Sequence, residues 1–262
     1  MKYNQFNEAK SLVDDDILLI QESNTLAIKK VKLSTLKQYI GVASGDNANS
    51  IKDEILKDNP IGYWQLDEIT GASAINLGSG MSNGTYNAVT LAEPSLATGS
   101  NYAAAFNIAT SKVSFTNTIL NNNTDISIEC IVTLSSLSLQ GGFFEIGDNS
   151  GIGFGVGNGT YSSPGNEFIG IAGNVAWKPS GKLIGIGTHH LVLVYKGATT
   201  KEWWFYIDGF LVQTLGYTLI NVPNTTGYFK GVDKPIVFDE LAIYNKALTP
   251  RQCFNHAAAV IY

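Results

Sequence analysis

The chain has 262 residues, of which 17 are Lys or Arg and 22 are Asp or Glu, so its formal net charge is −5. Arg251 is the only arginine. Proteins that bind nucleic acids depend on clustered Lys and Arg, so this composition argues against a nucleic-acid partner. The 27 glycines and the 12 Tyr, 12 Phe and 4 Trp predict many strands and tight turns, in a body large enough to fold without a disulfide or a metal.

The N-terminal segment, residues 1–43, differs in pattern from the rest of the chain. Two short apolar runs, Ile17–Ile20 and Leu26–Val31, flank a polar turn and predict a β-hairpin. Ser34 is the predicted N-cap of a helix that carries apolar residues at helical spacing as far as Ile40. A ββα unit of this size is too small to be stable alone, so we expect it to dock or to self-associate.

Neither a signal peptide nor a membrane span is predicted. The first residues lack the apolar core of a signal peptide, and no run approaches the roughly 18 apolar residues that a spanning helix needs. We therefore expect synthesis in a cytoplasm and no insertion into a membrane.

A linker and a short helix are predicted over residues 44–57. Small and polar residues precede Ser50, the predicted N-cap of a helix at Ile51–Lys57, and Pro60 follows that helix. The chain is thus divided into an N-terminal module at 1–43, a linker with a helix at 44–57 and a body at 58–262.

Predicted strands follow one another every ten to fifteen residues through the body, with glycine-rich turns between them. Asp208-Gly209 is predicted to be the tight turn of a hairpin, and Asp239–Tyr244 is predicted to be the last strand. Thr249 is the predicted N-cap of a terminal helix with Gln252 at its third position, which completes a capping box. The other strands are predicted over residues 103–108, 112–115, 143–147, 151–156, 168–172, 182–186 and 191–195. Antiparallel strands in such numbers predict a mainly β protein, a two-sheet β-sandwich.

Five segments of the body together resemble one known family. They are Tyr63–Glu68 (Tyr-Trp-Gln-Leu-Asp-Glu), Asp125–Val132, Thr188–Tyr195, Tyr206–Gly209 and Asp239–Tyr244 with the capped helix behind it. In this order and spacing they resemble the laminin-G-like, concanavalin A-type jelly roll. The resemblance covers roughly Asp58 to Ala259 and implies two packed antiparallel sheets, one of them concave.

The segment from Asp15 to Ile40 resembles a small module found near the N-termini of tailed-bacteriophage fibre and other virion proteins. This second resemblance implies that residues 1–43 attach the body to other virion proteins at the surface of a virus particle. By analogy with fibres it also implies a homotrimer. The alternative is an ordinary N-terminal hairpin that packs on the body.

Sugar binding is the commonest use of the jelly-roll family, and it implies exposed aromatic rings with a few amide or carboxylate side chains beside them. The candidates for stacking on a sugar are Tyr161, Trp177, Trp204, Tyr206 and Tyr228. The alternative is that these rings belong to the core. Strand alternation places Trp203 and Trp204 on opposite faces, so one of these two rings is expected in the core.

A structural calcium ion is implied by the same resemblance. Many relatives hold Ca²⁺ between the loop after their first strand and a late carboxylate, which here correspond to Asn76, Gly78, Asn83 and Asp239. Relatives usually carry Asp where this chain has Asn76, so one formal charge is lost from a site that needs six to eight oxygens. Two interpretations stay open: a weakened calcium site, or an Asp239 that caps backbone N–H groups without a metal.

The sequence predicts no catalytic pair of carboxylates. Glycoside hydrolysis needs two carboxyl groups that face one another across the substrate. The spacing of three between Glu145 and Asp148 places them on opposite faces of a strand, and the adjacent Asp239 and Glu240 are expected to face opposite ways as well.

The three histidines are not at a spacing typical of metal ligands. His189 and His190 are neighbours on a strand, so one is expected to be buried and the other exposed. His256, on the terminal helix, is expected at the surface. We therefore expect a protein that is not an enzyme.

Taken with the two resemblances, these features predict a non-catalytic virion structural protein, a tail or head fibre component that binds a glycan of the host surface. Two alternatives stay open. One is a capsid or tail decoration protein that makes only protein contacts, and the other is a polysaccharide depolymerase.

Overall fold

The structure is a computed structural model that describes residues 17–21, 28–32, 50–116, 125–146, 151–160, 162–172, 177–197, 200–216 and 226–260. The chain forms two compact units, Met1–Ala48 and Asn49–Tyr262. In the first unit, β1 (Ile17–Gln21) and β2 (Ile28–Lys32) pair as antiparallel strands. This pairing confirms the predicted hairpin, whereas the helix predicted from Ser34 lies outside the described residues.

The second unit is built almost entirely from short strands. Its described residues form the helices α1 (Ile51–Lys57) and α2 (Pro250–Ala257) and the strands β3 (Gly62–Trp64), β4 (Ser73–Ala74), β5 (Gly84–Asn87), β6 (Thr90–Pro94), β7 (Tyr102–Phe106), β8 (Lys112–Thr116), β9 (Asp125–Leu134), β10 (Gly141–Ile146), β11 (Ile152–Gly157), β12 (Glu167–Ala172), β13 (Lys178–Leu183), β14 (Gly187–Lys196), β15 (Glu202–Ile207), β16 (Phe210–Gly216), β17 (Thr226–Lys230) and β18 (Ile236–Tyr244). Neither described helix is long or apolar enough to cross a bilayer.

The strands form two antiparallel sheets. Sheet I has the order β16-β15-β14-β9-β18-β7-β6, with β3 added beside β18, and sheet II has the order β13-β12-β11-β10-β17-β8-β5-β4. The inward-facing side chains of both sheets form one large buried cluster that contains Trp64, Phe144 and Phe205. The predicted two-sheet antiparallel β-sandwich is confirmed.

The hairpin of β15 and β16 turns at the dipeptide that the sequence predicts. Asp208 has φ 52° and Gly209 has φ 79°, the pair of positive values that a tight hairpin turn requires. Glycine is required at the second position for a further reason. A β-carbon on Gly209 would lie 2.9 Å from the Cα atom of Phe254 in α2.

Strand β13 begins four residues earlier than the sequence predicts. The predicted strand covered residues 182–186, whereas the structure places β13 at Lys178–Leu183, paired with β12. Pro179 and Gly181 argue against a central strand, but β13 is the edge strand of sheet II, where a missing backbone N–H donor is tolerated.

Both helices pack on the outer face of sheet I. Ile51 and Ile55 of α1 and Cys253 of α2 share a buried cluster with Tyr63 and Tyr244 of the sheet. Helix α1, which the sequence assigns to a linker, is therefore part of the packed body. The predicted capping box of α2 is confirmed, since the side chains and backbone N–H groups of Thr249 and Gln252 bond reciprocally.

A β-bulge in β18 changes which way its acidic residues face. Asp239 pairs with Ile131 and Ala242 pairs with Glu129, so two residues of β18 lie opposite one residue of β9. Glu240 takes φ 53° there, and both it and Asp239 lie on the outer face of sheet I. The prediction that Asp239 and Glu240 face opposite ways is wrong, because a bulge interrupts the two-residue alternation.

Candidate functional site

A row of polar side chains crosses the outer face of sheet II. Glu145 of β10 pairs with Tyr228 of β17, Tyr228 with Ser114 of β8, and Ser114 with Thr85 of β5. Side chains at paired positions point to the same face. At about 4.8 Å per strand the row is roughly 14 Å long, so it could contact an extended ligand.

Two lysines lie on the same face, two residues along β17 and β8 from the row. Lys230 of β17 pairs with Lys112 of β8, and their ammonium nitrogens lie 5.4 and 5.6 Å from the centre of the Tyr228 ring. Lys230 also forms an ion pair of 2.6 Å with Glu145, and the Tyr228 hydroxyl donates to the same carboxylate at 3.3 Å. The surface therefore combines an aromatic ring, one carboxylate and two cations.

Trp177 stands beside Glu145 at one end of this row. It is 5% exposed and packs with Ile169 and Ile171. A β-carbon on Gly142 would lie 2.3 Å from the Glu145 Oε1 atom and 3.3 Å from the Trp177 ring, so glycine is needed there for both side chains to lie over β10. Trp177 holds Glu145 in place and offers little of its own surface to a ligand.

The structure separates the remaining aromatic candidates. Trp204 is half-buried on the outer face of sheet I, where Lys196 lies 4.4 Å from its ring. Tyr206 is fully buried on that same face, in the cluster under the helices, so it has no surface for a sugar. Tyr161 lies outside the described residues. Trp177 and Tyr228 share the outer face of sheet II, and Trp203 packs in the core, as strand alternation predicts for one of the two adjacent tryptophans.

Of the four residues predicted to bind calcium, Asn76, Gly78 and Asn83 lie together in one loop, and Asp239 lies apart from them. The Asn76 side-chain amide donates to the carbonyl oxygens of Met81 at 2.6 Å and Gly78 at 3.4 Å, and Asn83 accepts from the Asn76 backbone N–H. The amide thus stands where a cation would contact those carbonyls. Calcium binding by this loop stays a prediction, and it requires Asn76 to release both oxygens.

Asp239, the fourth predicted calcium ligand, lies on the other side of strand β3. Trp64 of β3 pairs with Leu241 of β18 on one side and with Asn76 on the other, so Asn76 and β18 are about two strand spacings, or 10 Å, apart. The Asp239 carboxylate accepts from the Leu96 backbone N–H at 2.9 Å.

Acidic side chains from two distant segments, Asp67 and Asp239, meet around Ser100. The Ser100 hydroxyl lies 3.0 Å from Asp67 and 3.2 Å from Asp239, and the neighbouring Glu240 accepts from the Tyr63 hydroxyl. Burial raises the pKa of Glu240 to about 7 and raises that of Asp239 well above its usual range. These carboxyl groups therefore gain protons more readily than exposed ones do.

A second polar cluster lies between sheet I and the helices. Glu129 of β9, His190 of β14 and His256 of α2 are each at most 1% exposed. The Oε2 atom of Glu129 lies 2.8 Å from His190 Nε2 and 2.9 Å from His256 Nδ1. The prediction that His256 is at the surface is wrong, because α2 turns this residue toward the sheet.

Glu129 and His256 of this cluster each favour the charged form of the other. Burial alone would raise the pKa of Glu129, but His256 and His190 outweigh burial and hold it well below its usual range. Burial would lower the pKa of His256, but Glu129 and Asp58 outweigh burial and raise it to about 10. His190 is buried, as expected for one of the two adjacent histidines, and His189 is half-buried with its Nδ1 atom 2.9 Å from Asp208.

Glu129 was not predicted from the sequence to be part of a polar cluster. It is the single charged residue in the apolar run Ile126–Val132. A charge within such a run is itself a signal, because a buried carboxylate requires a partner. The sequence does not show which partners it has.

A small cavity opens at the sandwich edge between β13 and β16, lined by Gly170, Lys178, Trp203, Phe205 and Leu215. Its volume of about 10 Å³ suits one water molecule at most. This cavity is therefore too small for a sugar.

Comparison with protein-family models and with curated proteins finds no match for this chain. Among solved structures, the binding domain of Paraclostridial Mosquitocidal Protein 1 is similar, with a TM-score of 0.58 and 15% identity over 76% of this chain and 52% of that chain. A structure of botulinum neurotoxin type C, whose cell entry depends on two ganglioside molecules, has a TM-score of 0.57 and 13% identity, over 79% of this chain and 53% of that chain. The chain spans about half the length of these two.

A third similar structure matches over nearly its whole length. It is domain 4 of AbnA, a GH43 extracellular arabinanase from Geobacillus stearothermophilus, in complex with arabinotriose. Its TM-score is 0.54 at 18% identity, over 76% of this chain and 98% of that chain. At these identities the similarity establishes a shared β-sandwich fold.

Proposed function

We propose that the second unit is a glycan-binding β-sandwich domain and that it binds its glycan on the outer face of sheet II. The observation that carries the proposal is the paired row of Glu145, Tyr228, Ser114 and Thr85, with Lys230 beside it. Ligand sites combine an apolar or aromatic surface with a few fixed polar groups. The half-exposed ring of Tyr228 provides the first. The hydroxyl groups of Ser114 and Thr85 and the ammonium group of Lys230 provide the second, and the buried Glu145 carboxylate holds Lys230 in place.

One further observation supports this choice of face, and a second supports glycan binding by this fold. The outer face of sheet I is covered by α1 and α2, whereas the described residues place no helix on sheet II. A domain of the same fold that is matched over 98% of its length was solved with a bound oligosaccharide, arabinotriose.

We propose binding without hydrolysis. Glu145 is held by Lys230, and a second described carboxylate on this face, Glu167, accepts from the backbone N–H groups of Gly159 and Gly181. The register places Glu167 four residues along and two strands away from Glu145, about 16 Å between the backbones. Hydrolytic pairs are separated by about 5 to 9.5 Å. Asp148, the other acidic residue considered with Glu145, lies outside the described residues.

We further propose that the chain is a component of a virus particle, a tail or head fibre protein that is anchored to other virion proteins through residues 1–43. The sequence resemblance of Asp15–Ile40 supports this proposal, as does the antiparallel hairpin of β1 and β2 in that segment. A two-stranded unit needs further packing to be stable, which fits self-association into a trimer. Sedimentation of the full-length chain tests the assembly: a trimer is expected, and a monomer at micromolar concentration would contradict it.

The binding proposal is tested with the full-length chain on an array of neutral and acidic oligosaccharides, followed by calorimetry with the best-bound sugar. Saturable binding without release of new reducing ends is expected. Release of reducing ends would instead establish a depolymerase, and the absence of binding throughout the array would favour a role in protein contacts alone.

A further inference from the structure

On the face of the sandwich opposite the proposed glycan surface, Glu129, His190 and His256 bring three metal-ligand atoms together. The Glu129 Oε2, His190 Nε2 and His256 Nδ1 atoms all lie within 4.8 Å of one another. We infer that these three side chains form a binding site for one divalent transition-metal ion of the Zn²⁺ type.

The ligand types suit such an ion. Two imidazole nitrogens and one carboxylate oxygen are a ligand set that zinc takes in proteins, with bonds of about 2.0 to 2.2 Å. Ligand atoms around a tetrahedral ion are therefore about 3.3 Å apart, whereas Glu129 Oε2 now lies 2.8 and 2.9 Å from the two nitrogens. An outward shift of about half an ångström at the carboxylate would admit the ion.

The groups behind two of the three ligands would hold them in the orientation that a metal needs, whereas His190 Nδ1 has no hydrogen-bond partner among the described residues. The second ring nitrogen of His256, Nε2, lies 3.1 Å from the Asp58 carboxylate and 3.2 Å from the Glu54 carbonyl oxygen. The Tyr244 hydroxyl donates to the other oxygen of Glu129. Metal-binding histidines donate their remaining N–H to such acceptors, and metal-binding carboxylates are themselves hydrogen-bonded.

The charge of the site also favours a cation. Glu129 and Asp58 face the cluster with carboxylates, and the ammonium group of Lys246, whose side chain is 40% exposed, lies 3.8 Å from Asp58. In the metal-free cluster both nitrogens of His256 face acceptors, so the ring carries two hydrogens. An ion at Nδ1 takes the place of one of those hydrogens, which leaves His256 as a proton. An ion at His190 Nε2 requires the hydrogen of that ring to move to its Nδ1 atom, so binding releases one proton in total.

The ligands come from β9, β14 and α2, so the ion would fasten the C-terminal helix to sheet I. In the sequence, Glu129 is 61 residues from His190 and 127 residues from His256. A link across such long loops stabilises the folded state most when the loops are free in the unfolded chain. We therefore expect the metal to raise the unfolding temperature, in addition to binding with a stoichiometry of one.

The experiment uses untagged full-length protein, freed of metal with a chelator and refolded with Co²⁺ as the probe. One Co²⁺ per chain, with a visible absorption band that Zn²⁺ abolishes, is the expected result. Calorimetry in buffers of different ionisation enthalpy should show about one proton released per metal ion. Because the wild-type chain alone gives these readouts, they do not depend on whether a variant folds.

Two variants locate the site. Glu129→Gln keeps the shape of the side chain but removes its charge, and it should weaken Co²⁺ binding at least tenfold. His189→Asn is the matched control, since His189 is adjacent to His190 but bonds to Asp208 outside the cluster, and it should leave Co²⁺ binding unchanged. Failure of the wild-type chain to bind one Co²⁺ would overturn the inference, and so would equal losses in the two variants. The cluster would then be a proton-bridged contact between α2 and the sheet.

Discussion

The carboxylate of Glu145 and the ammonium of Lys230 are 2.6 Å apart, on adjacent strands of sheet II. The Glu145 side chain is 5% exposed and the Lys230 side chain is 24% exposed, so the carboxylate is less accessible to water than the ammonium group. An unpaired carboxylate in this position would be costly to bury. Lys230 thus allows a carboxylate to lie buried beneath the proposed glycan surface.

Removal of Lys230 should therefore destabilise the protein. We expect Lys230→Met to lower the free energy of unfolding by about 1–3 kcal/mol, because the buried Glu145 carboxylate loses its charged partner. The double variant with Glu145→Gln should recover part of that loss. Lys112→Met is the control on the same face, beside the same Tyr228 ring, and it should change the free energy by less than about 0.5 kcal/mol. Urea denaturation measures all four proteins, and equal effects of the two lysines would contradict the account.

Replacement of Asn76 by Asp tests whether this loop is a calcium site weakened by the amide or a loop without a metal. Asn76→Asp removes the amide that donates to Gly78 and Met81 and leaves a carboxylate facing their carbonyl oxygens. We expect a loss of about 1–3 kcal/mol in buffer without calcium. Calcium at about 10 mM should restore much of it, since sites of this kind have dissociation constants of about 10⁻⁴ to 10⁻³ M.

The wild-type chain is the reference for that experiment, with Mg²⁺ as the control ion. We expect its unfolding temperature to be the same with either ion, because the Asn76 amide already stands where calcium would contact the loop. A rise in the wild-type unfolding temperature with Ca²⁺ alone would show that the loop binds calcium with Asn76 in place.

Glu240 should make stability fall as the pH rises. Burial raises the pKa of its carboxyl from the usual 4.5 to about 7, so the folded state holds this proton more tightly than the unfolded state. The stabilisation is fully present below about pH 4.5 and is lost as the pH rises through 7. Glu240→Gln removes the titration and should make the protein more stable than wild type at pH 8, by about 1–3 kcal/mol.

The comparison is made by denaturant unfolding at pH 5 and pH 8, so that other titrating groups act equally on both proteins. The difference between wild type and Glu240→Gln should be small at pH 5 and larger at pH 8. A difference independent of pH would mean that Glu240 does not titrate in this range.

Features set by neighbouring residues could be predicted from the sequence. The Asp208-Gly209 turn, the capping box of Thr249 and Gln252 and the β1–β2 hairpin all depend on contacts within a few residues, and all are found. Strand alternation also predicts that one of Trp203 and Trp204 is in the core, and the structure shows that it is Trp203. Alternation fails at Asp239 and Glu240, because a bulge inserts one residue and no local pattern marks its position.

Features set by distant residues could not be predicted. His256 is buried because Glu129, 127 residues away, attracts it to the sheet. Tyr206 and Tyr228 look alike as aromatic candidates, yet one lies beneath the helices of sheet I and the other lies open on sheet II. The strand order decides this difference, and the strand order is a property of the whole fold.

The measurement that tests the central claim most directly compares glycan binding by Tyr228→Ala and Trp204→Ala. The two rings are matched controls, since each is half-buried with a lysine beside it, but they lie on opposite faces of the sandwich. With the best-bound oligosaccharide of the array and the full-length chain, we expect Tyr228→Ala to weaken binding at least tenfold and Trp204→Ala to leave it unchanged. Loss of binding in Trp204→Ala with full binding in Tyr228→Ala would contradict a glycan site on sheet II.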